Sequence, residues 1–407
     1  MTKLHFKTLK FTLKEEQEEG KIKQQYLVVY LLNIFYCKIP LSELSGVKII
    51  DEHSIEVNEK KFNLLLMKYF DQLTNSINQN PAVYVHRNSG IPLLGSVQFG
   101  IVYRNTSLIE IKPVTSCNLN CIYCSVGEGK GSKKIDFVVE KDYLIEELEK
   151  LLDFVGEPVE IHIGVQGEPF LYADIVPLIA DLQNNEQITI ISMDTNMTLT
   201  SKHILNKLSD FDKLRLNISI DAMNKELAEK LAGCAYNLEH VLEMTKYAKE
   251  KGIKILIAPV LVPGYNEEEM EKIVRFVKKL GIKAEQKHPL LGIQNFLNYK
   301  TGRNPTKAWS WEKYREFIKG IESKEKVKLL LSETDFGIRK TKKLEKPFKV
   351  DDVISATIKS FDRFPKSVIA VAKDRTISVP DCQFKKEKKI KVKITRDKHN
   401  IFNGKLV

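Results

Sequence analysis

The stretch Thr115–Cys124, TSCNLNCIYC, holds three of the six cysteines in a chain of 407 residues, spaced CxxxCxxC. It follows SLIEIKP (107–113), whose alternation is that of a strand. A disulfide framework does not suit an odd cluster of thiols in so long a chain, and a reducing compartment with a metal or redox role fits better. A closed zinc site needs a fourth Cys or His, and none follows within the loop. Three inert thiols within eight residues would be a coincidence. The reading left is a [4Fe–4S] cluster held by Cys117, Cys121 and Cys124, with one iron open to another ligand.

Downstream, apolar runs alternate with amphipathic helices. The strand candidates are PVEIHIGVQ, ITIISMDTN, LRLNISID, IKILIAPVLV and IKAEQKHPLLG, and the helices include EKDYLIEELEKLLDFV and NEEEMEKIVRFVKKL. Strand–helix repetition implies a parallel sheet covered by helices. No GxGxxG follows the first strand, so the expected fold class is α/β with a partial (β/α)6 barrel of the TIM type over residues 101–300. Chemistry in such barrels gathers at the C-terminal ends of strands, where the cysteines fall.

The flanks differ in character. Residues 1–100 read as a small α+β domain, with YLVVYLLNIFYCKI as one or two buried strands too short to span a bilayer. The opening MTKLHFKTLKFTLKEEQEEG is polar throughout, so no signal peptide is expected, and a cytoplasmic location is. Residues 301–346 read as a helical extension and a basic linker, GIRKTKKLEK. Residues 347–407 read as a small β-barrel of OB-like size. That last sixth carries 15 Lys and Arg against 7 Asp and Glu, which is +8 of the chain's +11. A local basic surface attracts polyanions, and nucleic acid first among them.

A CxxxCxxC loop after the first strand of such a barrel resembles the radical S-adenosylmethionine (radical SAM) superfamily, over about residues 105–300. The resemblance implies a [4Fe–4S] cluster, SAM on its open iron, and an electron donor such as ferredoxin or flavodoxin. It implies Tyr123 beside the adenine, and Gln166, Gly167 and Glu168 of VQGEP at the methionine amino group. Thr195 and Asn196 match the end of the third strand, Ser219 and Asp221 a ribose or carboxylate contact, and Val260 and Pro263 the turn near the adenine. Read locally, GEP is a common turn, Asp221 could cap the next helix, and PGYNEEE is a turn with an N-cap.

The C-terminal region resembles a TRAM domain, the small barrel appended to RNA-modifying enzymes. This implies an RNA substrate, tRNA in first place, with Lys385, Lys386, Lys388, Lys389, Lys391, Lys393 and Arg396 on phosphates and Phe384 on a base. The bland reading of the lysines is a solvated strand face. Radical SAM with TRAM is similar to the methylthiotransferases, but those hold a second cluster on three N-terminal cysteines, and residues 1–100 contain only Cys37. A methylating branch uses two free cysteines, which makes Cys382 a candidate catalytic residue with Cys37 or Cys234 as partner. The chain also resembles an archaeal radical SAM group sharing the CSVGEG loop. In Ser125–Lys134, Lys130, Lys133 and Lys134 could meet phosphate, or the loop could be a connector. His162 and His288 are expected as satisfied strand residues. The alternatives are a radical SAM enzyme acting on a protein or small molecule, and a structural metal site in an RNA-binding protein.

Overall fold

The computed structural model describes residues 1–18, 21–164, 166–281 and 289–407. Its central sheet has five parallel strands: Leu108–Lys112, Val159–Ile163, Ile188–Thr195, Leu214–Ile218 and Lys254–Ile257. A sixth strand, Gly100–Tyr103, pairs antiparallel with the first. Beyond the fifth strand, a parallel bridge joins Ile257 to Leu291, and Val260–Leu261 pairs parallel with Gln294–Asn295. The expected sixth strand–helix unit is thus represented by short pairings, while its 282–288 part, with His288, lies outside the described residues.

The strands are not uniformly apolar. Ile109, Ile161, Ile191, Met193, Leu216 and Ile218 are buried in the main core. Glu160, His162, Ser192, Asp194, Arg215 and Asn217 share the other face and hydrogen-bond to one another across the strands. Period-two alternation therefore gives the half-barrel an apolar outside and a polar inside.

In the N-terminal region YLVVYLLNIFYCKI runs through two antiparallel strands, Lys21–Leu31 and Phe35–Pro40, and a helix, Glu59–Phe70, follows. The six-stranded sheet of this region ends on Asp136–Val139, which pairs parallel with Pro81–Val85. A strand from just after the cysteine loop thus completes this sheet.

Residues 353–406 form a closed five-stranded barrel around Phe348, Ile358, Ile377, Val392 and Phe402. The barrel is joined to the core in two ways. Thr376 N donates to Leu94 O and Phe402 N to Gly95 O, both at 2.9 Å. Gly95 has φ +117°, and a Cβ there would collide with the Thr376 backbone. Arg363, 2% exposed, enters the base of the cysteine loop. Its guanidinium pairs with Glu128 and with Asp136 (3.2 Å) and donates to Thr115 Oγ1 (2.9 Å) and to Ile135 O. The expected linker is laid along the sheet edge: Ser107 N donates to Arg339 O (2.8 Å) and Thr341 N to Asn105 O (3.0 Å).

Replacing Arg363 by Met strands two buried carboxylates without their cation, a change that costs about 3–5 kcal/mol. Lys386→Ala breaks only the solvent-exposed pair with Asp71 and costs less than about 1 kcal/mol. Chemical denaturation of the two variants should show that order.

Candidate active site

The cysteine loop is gripped from three sides. On the sheet side, Thr115 Oγ1 donates to Asp136 Oδ1 and accepts from Phe137 N, both at 2.9 Å, and Asn75 Nδ2 donates to Ser116 Oγ (2.8 Å). On the helix side, Asn120 N and Ile122 N donate to Ala232 O and Leu231 O, at the end of the helix Lys225–Ala232. Gly233 follows at φ +66°, where a Cβ would strike Asn120 O. From the third side, Arg303 donates through Nε to Cys121 O (2.7 Å), through Nη2 to Glu128 O, and through its backbone N to Cys124 O (2.9 Å).

Cys117, Cys121 and Cys124 line one wall of a cavity of about 780 Å³ at the C-terminal ends of the parallel strands. Burial pushes the Cys117 and Cys121 thiols well above the ordinary range. Among the described residues no three His, Cys, Asp or Glu side chains converge on one metal ion.

Next to the cysteines, Glu168 closes a hydrogen-bond cradle. Its Oε1 accepts from Thr195 Oγ1 (2.8 Å) and Phe170 N (3.1 Å), and its Oε2 from Asn196 N (2.8 Å). Burial raises its carboxyl to about 7, against the lowering effect of those donors. Asn196 Nδ2 donates to Asn118 Oδ1 (3.0 Å), which ties this cradle to the cysteine loop. Gly167 has φ +72°, and a Cβ there would run into the Ser116 carbonyl. Gly167, Glu168, Thr195 and Asn196 all line the cavity, whereas Gln166 is buried beside it and is not part of the lining.

Across the cavity, Tyr123 OH donates to Asp221 Oδ2, and Val260 N donates to Asp221 Oδ1 (2.7 Å). Burial raises Asp221 to about 6. Asp221 thus joins the cysteine loop to the fifth strand's extension, and Asn224, not Asp221, caps the following helix. Ser219 and Val260 line the cavity and Pro263 does not.

The remaining sequence candidates are dispersed. Cys382, 4% exposed, sits in the core of the C-terminal barrel, and Cys37 sits in the main core with its thiol pushed up to about 12 by burial. Cys234 contacts Asn118 O (4.0 Å) but does not line the cavity. Lys130 and Lys133 are exposed, whereas Lys134 is half-buried and donates to Val126 O and, at 3.4 Å, to Thr301 O. Ser125–Lys134 is therefore a fixed loop. His162 pairs with Asp194 inside the half-barrel. On the C-terminal barrel, Lys385, Lys386, Lys388, Lys389, Lys391 and Arg396 are exposed, and half-buried Lys393 pairs with Asp351 (2.8 Å). The Phe384 ring packs 4.0 Å from Phe361, and it is Phe361 that is exposed.

An uncharacterised protein of Methanocaldococcus jannaschii is 36% identical over 374 residues, 85% of each chain, and the family model described as radical SAM superfamily matches residues 111–277. The chain belongs to the radical SAM superfamily. A GTP 3′,8-cyclase of Aquifex aeolicus is 30% identical over 184 residues, 44% of this chain and 55% of that protein. Among solved structures, Streptococcus suis SuiB bound to the precursor peptide SuiA aligns over 56% of this chain and 48% of its own, with 19% identity and a TM-score of 0.45.

The superfamily's cofactors are a [4Fe–4S] cluster and SAM, and this site fits both: three thiols on one wall, and a cavity in front with carboxylates on two sides. Cys117, Cys121 and Cys124 would hold the cluster, and the Glu168 and Tyr123–Asp221 groups would face SAM. When bound, cluster and SAM together supply a 5′-deoxyadenosyl radical that takes hydrogen from an unreactive carbon. The chain's own part is to orient ligands and exclude water.

Replacing any of Cys117, Cys121 or Cys124 by Ala should abolish most of the iron bound on anaerobic reconstitution, read by iron assay and visible absorbance. Cys37→Ala and Cys382→Ala should retain the full complement. Gly167→Ala, by displacing the Ser116 carbonyl, should also lose iron.

Proposed function

We propose that this radical SAM enzyme modifies RNA, tRNA in first place, by C–H activation leading to methylation or a related group addition, with electrons from ferredoxin or flavodoxin. The observation that carries the RNA assignment is the exposed cation stripe on a barrel locked to the cysteine loop. Lys389 and Lys391 alternate along the strand Lys389–Arg396 with the inward-facing Val392 and Ile394, and Lys385 and Lys388 precede it. Arg363 holds this barrel against the loop that carries the cysteines, so a phosphate backbone on the stripe stays in fixed register with the cavity. The separate placements of Cys37, Cys234 and Cys382 do not support sulfur insertion through a second cysteine-held cluster.

A second reading, a small nucleotide substrate, is favoured by the likeness to GTP 3′,8-cyclase, of which the chain spans 55%.

The test uses reconstituted enzyme. Strong reductant should yield 5′-deoxyadenosine from SAM. The fourfold charge reversal of Lys385, Lys388, Lys389 and Lys391 to Glu should weaken tRNA binding at least about tenfold and reduce the slope of log affinity against log salt by about 3. Deletion of the barrel is not an equivalent test, because it also removes Arg363 from buried Glu128 and Asp136. Undiminished binding by the reversed variant would count against RNA.

A further inference from the structure

The cavity holds a second set of polar groups besides those around Glu168 and Asp221. Among them is Asp194, held in a closed ring of six side chains. Asp194 Oδ2 meets His162 Nε2 (3.1 Å), His162 Nδ1 meets Ser192 Oγ (2.9 Å), and Ser192 Oγ donates to Glu160 Oε1 (2.5 Å). Arg215 donates through Nη2 to Glu160 Oε1 (2.8 Å) and through Nε to Asn217 Oδ1 (3.1 Å), and Asn217 Nδ2 returns to Asp194 Oδ1 (2.9 Å). Within the ring, the Glu160 and Asp194 carboxylates face the Arg215 guanidinium and the His162 imidazole. Burial opposes ionisation of Asp194, but the facing imidazole and amide hold its carboxyl below the ordinary range.

The ring uses one lone-pair site on each Asp194 oxygen, of about four that a carboxylate offers. The side chain is 43% accessible, and that accessible part faces the cavity. Asp194 is thus a rigid, ionised acceptor aimed at a ligand that brings N–H donors. Asn295, beyond the fifth strand, also lines the cavity; it is buried and its Oδ1 has no hydrogen-bond partner among the described residues. Trp311 (49%) is exposed and lines the cavity, with the Arg315 guanidinium 5.9 Å from its ring centre, while exposed Tyr299 lines it on the turn that Arg303 joins to the cysteine loop. Aromatic faces with a cation beside them accept flat π-systems.

We propose that the part of the cavity between Asp194 and Trp311 is the substrate pocket, and that it takes an amino-bearing nucleobase turned out of the RNA. Trp311 stacks on the base, and Asp194 accepts from its exocyclic amino group. This rests on the RNA reading and goes beyond it by naming the pocket, its recognition residue and the base class. An unpaired base costs least to turn out, which points to a loop nucleotide.

The pocket is tested on reconstituted enzyme with unfractionated tRNA and with SAM as separate titrants. The chain has two tryptophans, at 309 and 311. In Trp309→Phe, tRNA should change the emission of the remaining Trp311, whether or not SAM is already bound. Asp194→Asn, which keeps shape and loses the charge, should weaken tRNA binding about tenfold with the salt slope unchanged, and Trp311→Ala, on the surface, should do likewise. Unchanged Trp311 emission together with wild-type tRNA affinity in both variants would overturn the pocket and leave the RNA reading standing. Weakened SAM binding with normal tRNA binding in Asp194→Asn would assign the carboxylate to the cofactor and also overturn it. Wild-type enzyme that binds no tRNA would overturn both readings together.

Discussion

One buried arginine sets the architecture of this molecule. Arg363 leaves the C-terminal barrel and ends among Glu128, Asp136 and Thr115, at the root of the loop that carries the cysteines. Asp136 also begins the strand that completes the N-terminal sheet, and it accepts from Asn75 and Asn78 of that domain. Three regions of the chain therefore meet at one desolvated cluster of charges. Such a cluster is strongly destabilised when one member is removed, since the partners cannot return to water. The barrel is by this account a structural element of the active site.

The half-barrel interior carries two hydrogen-bonded groups. Glu168, Thr195 and Asn196 form a cradle with its donors already in place, and Asp221 ties Tyr123 to the fifth strand. The ring through Asp194 and His162 fixes a second acceptor. Radical chemistry needs its two ligands held at a set separation with water excluded, and rigid strands supply that better than loops do.

Much of the cofactor side was legible in the sequence because its signals are local. CxxxCxxC, GEP after a strand, and the DTN and SID strand ends each fall within a few residues, and of the SAM contacts that the resemblance implied all but Gln166 and Pro263 line the cavity. The polar interior is not among these readings: PVEIHIGVQ, ITIISMDTN and LRLNISID count as apolar runs, yet Glu160, His162, Ser192, Asp194, Arg215 and Asn217 bond to one another on one face. What could not be read depends on long-range packing. Arg363 meets Glu128 across more than two hundred residues, Arg303 reaches Cys121 across a similar gap, and nothing near Trp311 marks it as a cavity wall. Lys134 depends on packing in the same way: its loop could be a phosphate contact or a connector, and its ammonium is held by two backbone carbonyls.

The account's central claim is that the radical made at the cysteine loop is spent on RNA. The most direct measurement is mass spectrometry of nucleosides from tRNA of cells with and without this protein. The account predicts that one modified nucleoside, carrying an added carbon-bound group on an amino-bearing base, disappears when the protein is absent. Identical nucleoside profiles of tRNA and ribosomal RNA in the two strains would contradict it.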